Sequence, residues 1–155
     1  MKSTVTTTQT FKYILLFTFL FAAFLALAIT YNRVYKLKNE SISIFEKYEG
    51  VTTKSLNIVN NYLKNSGYNT KGQCEVGEFG VSSLDSTIYK KVNNADDKYF
   101  YCLNDYVVKD ENTDKVYYQI KLFYKFNLPF VGEIFTFTIN GETKGIKYYD
   151  TKQRL

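Results

Sequence analysis

The chain has 155 residues, a formal net charge of +5, one proline, two cysteines, and neither histidine nor tryptophan. Without histidine, a Ser-His-Asp or Cys-His triad, a histidine general base and a histidine metal site are all excluded. The length allows one modest core once a long apolar run near the N-terminus is set aside. The excess positive charge is spread without blocks, unlike the clustered basic face of a nucleic-acid binder.

Lys2 and Lys12 precede that run, which extends from Tyr13 to Tyr31 with 19 residues, no charge and two threonines, Thr18 and Thr30. At about 1.5 Å per helical residue it reaches roughly 28 Å, near the hydrocarbon thickness of a bilayer. It reads as a transmembrane helix built on Tyr13, Leu16, Leu20, Phe24, Leu27 and Tyr31, with its end tyrosines at the headgroup boundary. The competing reading is a cleaved signal peptide, with Ala26-Leu27-Ala28 as its A-x-A site. The run is longer than a usual signal-peptide core and continues through Ile29 into further helical periodicity, which favours retention. Charge does not set the orientation. Lys2 and Lys12 lie on one side, and Arg33, Lys36 and Lys38 on the other.

Beyond the run, Val34, Leu37, Ser41, Phe45 and Tyr48 recur at helical spacing, with Ile42 and Ile44 widening the stripe. One helix is therefore expected from about Thr10 to Tyr48, stopped by Gly50. Its rear stripe (Val34, Leu37, Phe45, Tyr48) is a candidate assembly surface for a neighbouring subunit; the alternative is burial against the chain's own sheet. Thr52 or Thr53 caps a second helix carrying Leu56, Val59, Tyr62 and Leu63, which Gly67 ends.

After Gly67 the period falls to two. Short strands are expected at Gln73 to Phe79 and Lys98 to Lys109. In the next, Val116, Tyr118, Ile120, Leu122, Tyr124 and Phe126 face one way and Gln119, Lys121 and Lys125 the other. A turn around Pro129 leads to a strand from Glu133 to Asn140, with Phe135, Phe137 and Ile139 on one face; Ile146 to Tyr149 closes the sheet. The fold class is α+β: a long N-terminal helix, a short second helix and a small antiparallel sheet of four or five strands. The chain divides into a short cytoplasmic N-terminus (1–12), the span (13–31), its amphipathic continuation (32–50) and an extracellular domain (51–155). Tyr117 and Phe123 fall opposite the main stripe, which implies aromatic surface that is exposed or covered by another protein.

Cys74 and Cys102, well separated and without a CxxC, read as one structural disulfide formed outside the cytoplasm. No cofactor or metal is expected. Asp110-Glu111-Asn112-Thr113-Asp114 has the alternating oxygen ligands of a calcium loop, but Lys115 stands where the turn needs glycine and Lys121 where a bidentate acid is needed. Glu75/Glu78 and Asp96-Asp97 are acid pairs whose ordinary role is solvated surface. Asn39-Glu40-Ser41 is a glycosylation sequon by pattern that falls on a helix. Gly77-Glu78-Phe79-Gly80 lacks the context of a phosphate loop. Abundant Lys, Asn, Tyr, Phe and Ile, all with AT-rich codons, point to a low-GC bacterial source.

The short polar N-terminus, the apolar helix running into an amphipathic one and the small C-terminal sheet resemble pilin-like proteins. The closest likeness is to the TadE-like pseudopilins of tight-adherence pilus systems in low-GC Gram-positive bacteria. The segment from Phe123 through Leu128-Pro129 to Ile139 looks like the family's aromatic strand, Leu-Pro turn and returning strand. The resemblance implies a membrane-anchored minor pilin, pseudopilin or assembly component of a pilus or secretion apparatus. Its partners would be the bilayer and other pilin-like subunits, with no nucleic acid, no small-molecule substrate and no catalysis. No glycine precedes Gly50 and no acid precedes Glu40, so the family's processing site and its glutamate are missing, which points to a membrane-resident component. The alternative is a membrane-anchored extracellular binding or sensor domain that does not polymerise.

Overall fold

The computed structural model describes residues 2–109, 114–128, 132–147 and 155, with side chains from residue 8 onward except at 126–135. The apolar run and the stripe behind it form one helix, α1 (Lys2–Lys47). It begins earlier than Thr10. The threonines at 4, 6, 7 and 8 are poor helix formers, but each needs only to extend a nucleus already formed by the apolar run. Glu49 and Gly50 then take φ of 55° and 125°, a reversal that glycine accommodates without strain. In α2 (Thr53–Asn65), Thr52 Oγ1 accepts from Ser55 N at 3.1 Å and Ser55 Oγ accepts from Thr52 N at 2.8 Å, a reciprocal cap.

The strands are β1 (Gly72–Gln73), β2 (Phe79–Val81), β3 (Lys90–Lys91), β4 (Lys98–Tyr99), β5 (Tyr101–Val108), β6 (Lys115–Leu128), β7 (Gly132–Glu142) and β8 (Ile146–Lys147). The main sheet is antiparallel in the order β3-β2-β5-β6-β7, and β8 pairs with the start of β6; β1 and β4 form a separate ribbon. Two expected strands are therefore each split. Residues 73–79 divide between β1 and β2, with Cys74 in neither. Residues 98–109 break at Phe100, whose N–H donates to Val81 O at 2.8 Å. Strands of two residues carry no readable alternation, which is also why β3 goes unannounced. The last strand pairs with β6 through Ile146 and Lys147; Tyr148 and Tyr149 lie outside the described residues.

The stripe of β6 is placed as expected from Val116 to Tyr124; the Phe126 side chain lies outside the described residues. Tyr118, Ile120 and Leu122 are buried, while Gln119, Lys121 and Lys125 are half-buried on the other face. The main core joins this face and Tyr101, Leu103 and Ile139 to Val34, Leu37, Phe45, Leu56, Val59 and Leu63 from the helices. Gly141 lets α1 approach β7: a Cβ there would lie 2.4 Å from Ile42 Cδ1. Inside this core Tyr101 OH donates to Asn60 Oδ1 at 2.7 Å, and Asn60 Nδ2 donates to Ser86 O at 2.8 Å.

On the opposite face Phe123 is covered by the chain itself, while Tyr117 is half-buried and Tyr106 exposed. Phe123 is buried in a second cluster with Cys74, Val92, Tyr99 and Cys102. A Cβ on Gly72 would sit 2.2 Å from its ring. Tyr117 stacks on Tyr106 with ring centroids 5.1 Å apart. Tyr68 braces the two layers, donating to Phe100 O at 2.8 Å and accepting from Phe123 N at 2.9 Å. Burial pushes its hydroxyl well above the usual tyrosine range, although the bond from Phe123 pulls it down.

Candidate membrane anchor and assembly surface

Among the described residues one helix is long and apolar enough to cross a membrane, and it is α1. Most of its front half is exposed among the described residues. Tyr13, Leu16, Leu20, Phe24 and Tyr31 are exposed, Phe24 at 70%, and Leu27 is partly covered. The two threonines in this half hide their hydroxyls. Thr18 Oγ1 donates to Ile14 O at 2.8 Å and Thr30 Oγ1 to Ala26 O at 2.9 Å, which removes the cost of an unpaired donor in lipid.

The rear half is a correction to the assembly surface expected from the sequence. Val34, Leu37 and Phe45 are buried, Phe45 completely, and Tyr48 is half-buried; all four pack in the chain's own core. The stripe of β6 needs a cover, and α1 is the element that supplies it. Periodicity reveals that a helix has an apolar face, not what lies against it. The exposed apolar residues of α1 lie mostly in its front half.

At the junction of the two halves lies an aromatic chain that sequence reading missed. The rings of Tyr31 and Tyr35 stack at 6.0 Å, Tyr31 meets Tyr124 edge-on at 6.2 Å, and Tyr124 stacks on Phe137 at 5.0 Å. The i, i+4 spacing of Tyr31 and Tyr35 was the visible signal. Lys38 Nζ lies 4.2 Å from the centre of the Tyr35 ring. Arg33 Nη2 donates to Ser66 O at the end of α2, fixing α2 to this same level.

Cys74 and Cys102 form a disulfide with Cα atoms 5.7 Å apart. The acid pair beside it is structural. Lys121 Nζ reaches Glu75 Oε1 at 2.9 Å and Glu78 Oε1 at 2.8 Å. Its hydrogen bond and charge hold the Glu75 carboxyl below the usual range. Burial pulls the Lys121 ammonium down, but Glu78 and Glu75 outweigh it and leave its pKa raised. The two sulfurs and a Glu78 oxygen lie within 4.8 Å of one another, but sulfurs bonded to each other offer no thiolate to a metal. Of the other candidates, Asp97 Oδ2 accepts from Tyr99 OH at 3.4 Å, Asp96 is exposed, and Asn39 lies exposed on α1. Residues 110–113 of the calcium-like motif lie outside the described residues. A groove of about 380 Å³ beside the β1–β4 ribbon is lined by Lys71, Lys98, Lys125, Thr136 and Thr138, which supply donors but no base paired with a nucleophile. No family model matches the chain, and no match is found among curated proteins or solved structures.

Proposed function

We propose that this chain is a single-pass, pilin-like subunit or assembly component of a surface pilus or secretion apparatus, with its α+β domain outside the cytoplasmic membrane. The carrying observation is the division of α1: one unbroken helix of 46 residues whose rear packs on its own sheet while most of its apolar front is exposed. Such a helix can rest in lipid or exchange lipid for the apolar helices of like subunits at little cost, because both surroundings are equally apolar. The disulfide supports the placement of the domain outside. On this reading the protein works by assembly and not by catalysis.

Both native cysteines are paired, so an added cysteine is the sole free thiol. Cysteine at Leu20 or Leu27 is expected to cross-link to a second subunit or pilin partner in intact cells. Deletion of the chain is expected to impair surface filaments or secretion. A membrane dimer that cross-links under conditions where this chain does not, together with unchanged filaments and secretion, removes the assembly reading. The second reading, an anchored binding or sensor domain that does not polymerise, is favoured by the missing acid ahead of Glu40 and by the internal cover of the rear stripe.

A further inference from the structure

We infer that the lysine-lined groove beside the β1–β4 ribbon holds the phosphodiester headgroup of an anionic lipid, in the leaflet from which α1 emerges. This rests on the anchored placement of α1 proposed above. The groove concentrates charge that the rest of the chain spreads. Lys71, Lys98 and Lys125 line it with Thr136 and Thr138, and no carboxylate is among its described lining residues. Grooves elsewhere differ: Glu49 lines the one at the start of α2, and Glu75 those beside the disulfide. Lys71, Lys98 and both threonines are exposed. Neither Lys71 nor Lys98 forms an ion pair among the described residues. Asp97, next to Lys98 in sequence, accepts instead from Tyr99 OH at 3.4 Å. Lys71 Nζ lies 4.5 Å from the centre of the Phe100 ring, a contact that positions the ammonium without neutralising it.

The height of the groove selects a lipid. Lys125 also lines a smaller cleft against α1, together with Thr30 and Arg33, which bracket Tyr31 at the end of the apolar run. Tyr124, beside Lys125 on the strand, meets the Tyr31 ring edge-on at 6.2 Å. β6 runs lengthwise along α1, with the Tyr118 ring against Gly50 at the far end. Positions 123–125 therefore share the level of Tyr31. Thr136 and Thr138 share it too, as the partners of Lys125 and Phe123. With Tyr31 at the edge of the hydrocarbon, that level is the phosphate layer. Ammonium groups there donate charge-assisted hydrogen bonds to the non-bridging phosphate oxygens, and the threonine hydroxyls add neutral ones. Each lysine near an anionic surface strengthens the association about fivefold.

The test reads lysine reactivity in the full-length protein, placed in vesicles of brominated phosphatidylcholine with or without phosphatidylglycerol. An amine-reactive label and mass spectrometry follow Lys71 and Lys98. Lys54 is the reference, an exposed lysine that also lies over a ring but sits at the far end of α1. Phosphatidylglycerol is expected to slow labelling of Lys71 and Lys98 by about tenfold or more and to leave Lys54 unchanged. Lys71→Gln with Lys98→Gln should lower the phosphatidylglycerol enriched around the protein to a similar degree. Lys90→Gln with Lys91→Gln, the same loss of charge on β3, should not. The chain lacks tryptophan, so Leu20→Trp reports the anchor separately through quenching by the bromines. If Leu20→Trp is quenched and Lys71 and Lys98 react equally in both vesicles, the groove site is wrong and the anchor stands. Equal losses of enrichment in the two double variants mean diffuse attraction to the surface, which also overturns the site. If soluble glycerophosphoglycerol or inorganic phosphate protects the two lysines as well as the lipid does, the groove takes free phosphate esters and the lipid assignment falls. If Leu20→Trp is unquenched, the anchor fails and the lipid site with it.

Discussion

The front and rear halves of α1 are built from similar residues and end in opposite surroundings. Phe24 is 70% exposed and Phe45 fully buried in the same continuous helix. Residue type does not separate these two phenylalanines; the polar residues around them do. From 13 to 31 the apolar residues cover every face, as lipid requires, whereas from 33 to 48 Arg33, Lys36, Glu40 and Lys47 leave one stripe for the sheet. One element can thus serve two solvents when its polar residues are withheld from one half and admitted to one side of the other.

Exchanging the two environments should produce the largest effect. Phe45→Ala removes a fully buried ring and should cost about 3–5 kcal/mol, measured by urea unfolding in mild detergent. Phe24→Ala should change the same transition by no more than about 0.5 kcal/mol. Equal losses at both sites would mean that the front half also packs on the domain. Reduction separates the halves in another way. Cys74 and Cys102 are 28 residues apart, and losing that link in Cys102→Ser should cost roughly 3–4 kcal/mol in the chain-entropy model. Domain melting should fall while membrane extraction stays unchanged. Leu20→Arg should do the converse. It costs insertion about 3 kcal/mol, lowering the membrane-bound fraction and leaving the melting of the folded domain in place.

The smallest effect belongs to Lys121. Glu75 is held below its usual range, so its contribution is present above the unfolded carboxylate value and fades as pH falls through the lowered one. Lys121 is raised, so its contribution is complete below the unfolded lysine value and fades as pH rises through the higher one. Glu75→Gln should flatten the acid limb of the stability profile slightly, since an exposed pair is screened by water. An unchanged acid limb would remove Glu75 from the account.

What could be read in advance follows the strength of each local pattern. The stripe of β6 was legible because a strand buried on one face must alternate, and a slip of one residue would have buried Lys121 and exposed Leu122. The cap was legible from residue type as Thr52 or Thr53, and Thr52 makes it. The β1–β4 ribbon was not, because two-residue strands held by a disulfide and by Phe123 have no period to detect. Gly72 was the one clue, a glycine where a ring had to come close. The partner of the rear stripe was equally hidden. Val34 and Phe45 fit a neighbouring subunit as well as their own sheet, and tertiary packing alone decides between them.

No glycine or proline occurs between Lys2 and Lys47, and Phe45 and Arg33 fasten the rear of α1 to the sheet and to α2. The joint between the front half and the domain is therefore a rod and not a hinge, so on the proposed anchoring membrane tilt and domain orientation form one degree of freedom. From position 22 to 47 the helix measures about 38 Å. A change of tilt of about ten degrees, well inside the ordinary range for single spans, swings its outer end by roughly 6–7 Å. With the front half embedded as proposed, any pull on it is delivered to the sheet as a lever delivers it, with the bilayer as fulcrum.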